Sequence, residues 1–318
     1  MNTDYGKYYD DGKVKIILTA CNNLKSFALK HIYENAYIFF FSYWFNSDPD
    51  PASYIDLDKL IVCRNSIAEC KTPSPYRTIL LHHNIWINEN LFTLQDLEKT
   101  YDAILVARPI TWKRGHLASK VNNLALVAGK TFPEWDKDNR VDFNTIPHKY
   151  LNDADKGDPL LTAQQLSVLY NQSHCGLVLS PIEGGSYCTS EYLLNGLPVV
   201  STKSLGGRDF YYNDFNHLIC EATEDSVKEC VEKFVYGKVD REKIRQSCID
   251  LITRDRQRFI KMTSVIFKKN NISIDADKYF CDKISNNKET KTYFLHETRY
   301  SYDEVINPMN KYMVTKIF

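Results

Sequence analysis

Short apolar runs rich in β-branched side chains recur along this 318-residue chain as far as residue 202. Runs of four to eight such residues, bounded by polar or turn-forming residues, are typical of buried strands. Eight segments fit this description, and we predict strands at residues 14–19, 36–41, 59–63, 78–82, 103–107, 124–128, 176–180 and 197–202.

Segments with helical periodicity lie between and after these strands. We predict helices at residues 24–33, 116–123, 163–172, 186–195 and 224–236, and one long or two shorter helices over residues 240–269. Strands that alternate with helices form parallel sheets covered on both faces. The pattern therefore predicts an α/β fold. We place a first domain at residues 1–98, a second at residues 99–260, and a C-terminal extension at residues 261–318 that packs back on the body.

Charge and composition narrow the range of partners. Forty basic and forty acidic residues give a formal net charge of zero, so no global field recruits nucleic acid or an anionic membrane. The longest early apolar run, residues 36–45, has ten residues, whereas a membrane-spanning helix needs about 20. The N-terminus is too polar for a secretory signal. The nine cysteines form neither Cys-x-x-Cys pairs nor zinc-type clusters, which indicates reduced thiols and a cytoplasmic location. Membrane contact is at most peripheral.

The segment from Gly176 to Thr202, "GLVLSPIEGGSYCTSEYLLNGLPVVST", carries the main candidate chemistry. Ligands of open α/β sheets bind beyond the carboxyl ends of the strands, and Glu183 follows such a strand end. Gly184 and Gly185 allow the backbone to approach a bulky group, and Ser186 is suited to cap the following helix.

The same segment predicts a nucleotide-sugar site. The start of a helix binds phosphate through free backbone N–H groups, and carboxylates such as Glu183 and Glu191 accept hydrogen bonds from sugar or ribose hydroxyls. Gly196 fits the left-handed position that ends the helix. Two glutamates eight positions apart also occur by chance on turns and helix surfaces, so the pair alone does not support the prediction. The support comes from the order of the whole segment: strand, glutamate, two glycines, helix with a second glutamate, and the next strand.

The order of these features resembles that of retaining GT-B glycosyltransferases of the family-4 type. The resemblance covers residues 103–234 and includes the Glu-x7-Glu spacing of Glu183 and Glu191, "NGLPVVST" and "SLGGRDFYYND". It implies two facing Rossmann-like domains with a donor cleft between them and a helical C-terminal extension. Glu183 would then hold the transferred sugar, Glu191 the ribose, and the backbone from Gly184 to Tyr187 the diphosphate. The family has a glycine where this chain has Ser186.

A second group of residues supplies positive charge. Arg108 follows a predicted strand and Lys113 precedes a predicted helix, and an arginine fork with a lysine suits a diphosphate leaving group. Without Glu183, a solvated basic turn would be the better explanation of both. The resemblance implies catalytic roles for both, with Ala107 where the family has glycine. It also implies that neither a metal nor an acid–base pair is needed. "DPDP" (residues 48–51) is interpreted as a loop, and no metal site is assigned.

Three further groups are weaker candidates. Family members often place a histidine at the strand end that His83 follows, and a capping or packing histidine is the alternative explanation. The segment 140–151 is predicted to be a strand that leads into a loop, and the resemblance implies base contacts there. The resemblance implies that the loop after residue 202 contacts the donor. The alternative explanation for this loop is a structural glycine turn. The residues concerned are Ile146, Pro147 and His148 for the base, and Gly206, Gly207 and the adjacent Arg208 for the donor.

The resemblance implies a hexosyl- or pentosyltransferase with a UDP- or GDP-type donor and a saccharide or glycoconjugate acceptor. Two departures concern the first domain, which is short and lacks the usual glycine-rich loop after its first strand. One alternative is a nucleotide-sugar-binding protein of the same fold without catalysis. Another is a viral-type enzyme that modifies hydroxymethylated DNA bases, which the zero net charge disfavours. A sugar-nucleotide epimerase or a phosphorylase would also use this fold.

Overall fold

The computed structural model describes residues 5–20, 22–25, 30–132, 136–285 and 291. It contains fifteen strands within these residues: β1 (Tyr5–Asp10), β2 (Lys15–Thr19), β3 (Asn23–Leu24), β4 (Ala36–Phe41), β5 (Asp50–Pro51), β6 (Leu60–Arg64), β7 (Arg77–Leu80), β8 (Tyr101–Ala107), β9 (Leu124–Ala128), β10 (Tyr150–Asp153), β11 (Ser173–Val178), β12 (Ile182–Glu183), β13 (Val199–Thr202), β14 (Leu205–Gly206) and β15 (His217–Cys220). Its α-helices are α1 (Lys30–Tyr33), α2 (Ile67–Lys71), α3 (Ala163–Asn171), α4 (Tyr187–Leu194), α5 (Glu224–Tyr236), α6 (Arg241–Lys269) and α7 (Ala276–Ser285).

All eight predicted strands are present, with ends that differ from the prediction by a few residues. Of the two possibilities predicted for residues 240–269, the structure has the single long helix, α6. The predicted helix 116–123 is only a short 3-10 helix, Gly115–Ala118. The predicted helix 24–33 is wrong at its start, where Leu24 belongs to strand β3, and its end is the short helix α1; residues 26–29 lie outside the described residues.

The chain divides into two compact units. Unit 1 comprises residues 1–87 and 254–318, and unit 2 comprises residues 88–253. Residues 88–98 belong to unit 2 because their backbone is bonded there. Gln95 donates its backbone N–H to Asn171 Oδ1 at 2.8 Å, and Asn171 Nδ2 donates to the Thr93 carbonyl at 2.9 Å. Apart from residue 291, residues 286–318 of the predicted extension lie outside the described residues.

The main sheet of unit 1 has the strand order β1-β2-β4-β6-β7. Strand β1 is antiparallel to β2, and the other neighbours are parallel. Strand β1 was not predicted, because its sequence, YGKYYD, is not an apolar run. One face packs on the end of α6 and on α7, with Phe259, Phe267 and Phe280 in that core. The opposite face packs on α1. The end of α6 and α7 therefore complete the core of unit 1.

The sheet of unit 2 is entirely parallel, in the order β10-β9-β8-β11-β13-β15. Numbered within the unit, this order is 3-2-1-4-5-6, which is the strand order of the Rossmann fold. One face packs on α5 through Val227, Cys230 and Val231. Strand β15 was not predicted. In segment 140–151 the loop comes first and the strand follows it, which reverses the predicted order.

Among the described residues, no helix combines the length and the apolar character needed to cross a membrane.

Gly196 ends α4 in the left-handed conformation that its position predicts, with φ of 63°. An added Cβ would lie 2.6 Å from the Arg241 carbonyl oxygen. Left-handed backbone costs an alanine about 1–2 kcal/mol, and the collision adds about 1–3 kcal/mol. We expect Gly196→Ala to lower the free energy of unfolding by about 2–4 kcal/mol, measured by urea denaturation followed by circular dichroism.

Gly157→Ala is the control for that substitution. Gly157 also has positive φ, 112°, but no atom lies within 4 Å of its added Cβ. Gly157→Ala therefore tests backbone strain without the collision. We expect it to lower the free energy of unfolding by less than Gly196→Ala does. Equal losses in the two variants would contradict the role given to close packing at Gly196.

Candidate functional site

The candidate site lies where the strand order of unit 2 changes direction. Strands β8 and β11 are adjacent and parallel in the middle of the sheet, and the chain leaves them toward opposite sides. Ligands of such sheets bind at the carboxyl ends of these two strands. Arg108 directly follows β8, and the segment after β11 leads to Glu183. The two strongest groups predicted from the sequence therefore flank one crevice.

Lys113 and Glu183 form an ion pair at this edge. The lysine side chain is 22% exposed and the glutamate side chain 8%. Burial, the largest cause, lowers the pKa of Lys113 to about 8; the charges of Arg108 and Arg208 lower it further, whereas Cys188 and Asp136 raise it. The site therefore holds an ammonium group whose charge is sensitive to pH near 8.

Arg108 is held by a buried acidic residue, Asp136. Arg108 Nη1 donates to Asp136 Oδ2 at 2.7 Å, and the same oxygen accepts the Phe132 backbone N–H at 2.8 Å. The guanidinium also lies over the Phe132 ring, 5.3 Å from its centre. A guanidinium has five N–H donors, so the Asp136 contact does not exhaust them. Asp136 has no sequence signal, because it is one of several acidic residues in a polar segment.

Glu191 is held by Tyr170 of α3. The Tyr170 hydroxyl donates to Glu191 Oε2 at 2.7 Å, and both side chains are almost fully buried. Burial raises the pKa of Tyr170 well above its ordinary value, with the Glu191 charge as the next cause. The sequence indicated only core packing for α3, because its apolar periodicity does not separate Tyr170 from its neighbours.

Helix α4 begins directly after the two glycines, as predicted. Ser186 is its N-cap residue and has an extended backbone, but its side chain makes no capping hydrogen bond. Ser186 Oγ instead lies 3.1 Å from Cys188 Sγ. Tyr187 is the first helical residue and is half-buried. The start of α4 is thus close in sequence and in space to the Lys113–Glu183 pair, with Cys188 beside both.

The Gly206–Gly207 loop supports Glu183 directly. Strands β12 and β14 pair in parallel, so that Glu183 faces Gly206 across the pair. Gly206 has φ of 108°, which explains the glycine. Arg208 does not extend toward a ligand. It is 1% exposed, and its guanidinium donates to backbone carbonyls at the ends of β11 and β13.

Residues 146–148 are not brought to this edge. They precede the amino end of β10, whereas Glu183 follows the carboxyl end of β11, and both strands run in the same direction in one parallel sheet. Ile146 is buried in the core of unit 2, and His148 Nδ1 lies 2.7 Å from the Ile146 carbonyl. Their position favours a packing role.

His83 lies in unit 1, just after the carboxyl end of β7. It starts the 3-10 helix His83–Trp86 and is 2% exposed. Its backbone N–H donates to Asn65 Oδ1 at 3.0 Å, and its ring meets that of Tyr43 edge-on at 5.2 Å. The capping role belongs to His82, whose Nδ1 accepts the Asn84 backbone N–H at 3.1 Å.

The two aspartates of "DPDP" have partners on the protein. Asp48 pairs with the buried Arg64 and accepts from Ser74 at 3.3 Å. Asp50 pairs with Lys25 at 2.6 Å. Over the described ranges, no group of three or more His, Cys, Asp and Glu side chains is arranged to hold a metal ion.

A small pocket opens beside the ion pair of unit 2. Lys113, Ser180, Glu183 and Cys188 contribute its polar lining, and the ends of β8 and β11 contribute its apolar wall. The arrangement places positive charge, a carboxylate and a helix start around one opening. These groups can bind an anion and a hydroxylated ring side by side.

Solved structures of GT-B glycosyltransferases resemble this chain. HepE of Anabaena, in complex with UDP, aligns with a TM-score of 0.52 and 14% identity, over 75% of this chain and 75% of HepE. The pneumococcal O-GlcNAc transferase GtfA, in complex with UDP and GlcNAc, aligns with a TM-score of 0.51 and 13% identity, over 75% of this chain and 54% of GtfA. TarM of S. aureus aligns with a TM-score of 0.50 and 13% identity, over 72% of this chain and 50% of TarM.

The chain thus spans about half the length of TarM and GtfA. The sequence matches no family model and no curated protein. At these identities the likeness concerns the fold. The chain has the α/β, Rossmann-like fold of the GT-B glycosyltransferases, as predicted.

Proposed function

We propose that this chain is a glycosyltransferase that moves a hexosyl or pentosyl group from a UDP- or GDP-type sugar donor to a hydroxyl of a saccharide or glycoconjugate. It would retain the anomeric configuration, need no metal and work in the cytoplasm. One observation carries the proposal: Lys113 and Glu183 meet at the switch point of a Rossmann-type sheet, beside Arg108 and the start of α4.

Each group then has a role that its chemistry suits. The Lys113 ammonium and the Arg108 fork bind the diphosphate together with backbone N–H groups from Gly184 to Tyr187. The Glu183 carboxylate accepts hydrogen bonds from the hydroxyls of the transferred sugar, and Glu191, oriented by Tyr170, accepts from the ribose. His83 of unit 1 is the candidate for contacts with the sugar or the acceptor.

The reaction breaks the bond between the anomeric carbon and the diphosphate oxygen. The acceptor oxygen forms its bond to the same face of that carbon, and its proton passes to the leaving phosphate oxygen. Negative charge accumulates on the diphosphate as the first bond breaks. Fixed positive groups placed at that charge lower the barrier, by about 3–4 kcal/mol for a single well-placed donor. Lys113 and Arg108 are the groups in that position.

Donor turnover tests the proposal. The protein is incubated with UDP-, GDP- and ADP-sugars, with and without a chelator, and released nucleotide is measured. We expect release from a UDP- or GDP-sugar that the chelator does not reduce. Proton NMR of the first product formed should show the same anomeric configuration as the donor. Inversion or dependence on a metal would contradict that part of the proposal.

Two other outcomes identify the alternatives. Nucleotide binding without turnover, across saccharide, glycoconjugate and hydroxymethylated DNA acceptors, would indicate a binding protein. Turnover only with hydroxymethylated DNA would indicate a DNA-modifying enzyme. Absence of both binding and turnover would reject the proposed function.

The pKa of Lys113 predicts how nucleotide affinity changes with pH. The lysine is charged below pH 8 and loses its charge as the pH rises through about 8. Because the diphosphate binds the charged form, we expect the Kd of UDP or GDP to be constant below pH 7 and to rise about tenfold per pH unit above 8. Isothermal titration calorimetry from pH 6.5 to 9.5 measures this change.

Lys113→Met controls for other groups that titrate in the same range. Lys99, also in unit 2, has its pKa lowered to about 8 by burial. The variant keeps Lys99, so its affinity should be weak and independent of pH over this range. A persistent rise in Kd above pH 8 in the variant would assign the effect to another group.

A further inference from the structure

Four successive backbone carbonyls lead from the end of β11 to Glu183, and each accepts a hydrogen bond from the segment 201–208. The Val178 carbonyl accepts from Ser201 Oγ at 3.0 Å, and the Leu179 carbonyl from Thr202 Oγ1 at 2.9 Å. The Ser180 carbonyl accepts from Arg208 Nη1 at 2.5 Å. The Pro181 carbonyl accepts from the Leu205 backbone N–H at 2.9 Å.

Arg208 is the residue that joins both strand ends. Its Nη1 also donates to the Val178 carbonyl at 3.1 Å, and its Nη2 donates to the Thr202 carbonyl at the end of β13. Its Nε donates to Asp209 Oδ1 at 2.8 Å. A planar guanidinium can hold several carbonyls in one fixed geometry, whereas a lysine ammonium is a point charge on a flexible stem.

We propose that Arg208 is a positioning residue of the candidate site: by clamping the ends of β11 and β13 it fixes the segment that carries Glu183, and so sets where the Glu183 carboxylate meets Lys113. The effect on turnover rests on the proposed function, whereas the effect on the Glu183 segment does not. The resemblance suggested that this loop contacts the donor. The contacts of Arg208 indicate instead that it supports the Glu183 segment through hydrogen bonds to backbone carbonyls.

The same guanidinium adds positive charge close to Lys113. The charged and titratable groups around Lys113 are Glu183, Cys188, Arg108, Asp136 and Arg208. Like charges disfavour protonation of the ammonium, and Arg208 contributes to the lowered pKa of Lys113. The geometric and the electrostatic effects of Arg208 can be separated by two substitutions.

Arg208→Lys keeps the charge and loses the fork, and Arg208→Gln loses both. A small misplacement of a catalytic group costs about 10²-fold in rate, so we expect both variants to lower kcat of donor turnover by about that factor, with little change in KM. Only Arg208→Gln should move the rise in the Kd of UDP or GDP, expected above pH 8, to higher pH. A residue that only stabilises the fold would not shift this pH profile.

Measurements without substrate test the positioning role separately. Hydrogen exchange should be faster at the amides of residues 183–187 in both variants. NMR of the Lys113 side chain should show a higher pKa in Arg208→Gln only. Arg245→Gln is the matched control, because Arg245 donates to three carbonyls of unit 2 outside this segment, those of Glu89, Phe92 and Leu194. It should leave exchange at residues 183–187 and donor turnover unchanged.

Thr202→Val removes the hydrogen bond to the Leu179 carbonyl at nearly constant side-chain volume. This variant tests the proposal if the Arg208 variants do not fold. It should speed exchange at the same amides to a smaller extent. Unchanged exchange in folded Arg208 variants, or in Thr202→Val, would overturn the proposal. Faster exchange in a protein whose wild type neither binds nor turns over any nucleotide sugar would support the clamp and reject the proposed function instead.

Discussion

Replacing Glu183 by glutamine should lower kcat of glycosyl transfer by about 10²–10³-fold, the loss typical of removing one fixed electrostatic contact in an active site. The amide has nearly the same shape, so the loss would come from charge. The carboxylate accepts sugar hydroxyls more strongly than an amide does, and it holds the Lys113 ammonium in place. We expect nucleotide affinity to change less than kcat, because the carboxylate itself contacts the sugar side of the donor and affects the diphosphate only through Lys113.

Glu232→Gln is the control for this substitution. Glu232 pairs with Lys228 on the surface of α5, so the control removes the same charge from the same unit without touching the crevice. The kcat of Glu183→Gln and of Glu232→Gln is measured from initial rates of nucleotide release at saturating donor. Equal kcat in Glu183→Gln and wild type would remove Glu183 from the mechanism.

Lys113→Met should lower kcat/KM for the donor by about 10²–10³-fold. The methionine keeps most of the apolar stem and loses the ammonium, which both binds the diphosphate and offsets the charge that develops on it. The control is Lys228→Met, the lysine of the exposed pair on α5. We expect KM to rise as well as kcat to fall, because the ammonium acts on the bound donor and on the leaving group. A change in KM alone would limit Lys113 to binding.

Stability measurements on the same variants test the ion pair itself. Removing one partner leaves the other charge in a largely buried position without its partner, whereas removing both leaves no such charge. The double variant Lys113→Met/Glu183→Gln should therefore lose less free energy of unfolding than the sum of the two single variants. Additive losses would indicate that the two side chains do not interact in the folded protein.

The strands and the ligand-binding edge could be predicted because they depend on local pattern. Each of the eight apolar runs predicted to be a strand is a strand in the structure, and Gly196 adopts the left-handed conformation expected from its place after α4. The order of strand, glutamate, glycines and helix placed Glu183 correctly at a strand end. Segments without that pattern were missed. Strand β1 is polar, and β15 carries two half-buried residues and an exposed one among its four.

The partners of the site residues could not be predicted, because they are distant in sequence and ordinary in type. Asp136 holds Arg108 from 28 positions away, and Tyr170 holds Glu191 from 21 positions away. Arg208 reaches the Ser180 carbonyl from 28 positions away. None of these pairs leaves a periodic trace, since each depends on how elements that are distant in sequence pack together.

The sequence by itself determined the class of fold, the edge of the sheet that carries the chemistry, and the residue types available there. These follow from apolar periodicity and turn chemistry, which act over a few residues. Only the tertiary structure decided that Lys113 pairs with Glu183, that the Gly206 loop and Arg208 support the Glu183 segment, and that residues 146–148 lie before the amino end of their strand. Those outcomes depend on strand order and packing, which bring together groups that local sequence cannot relate.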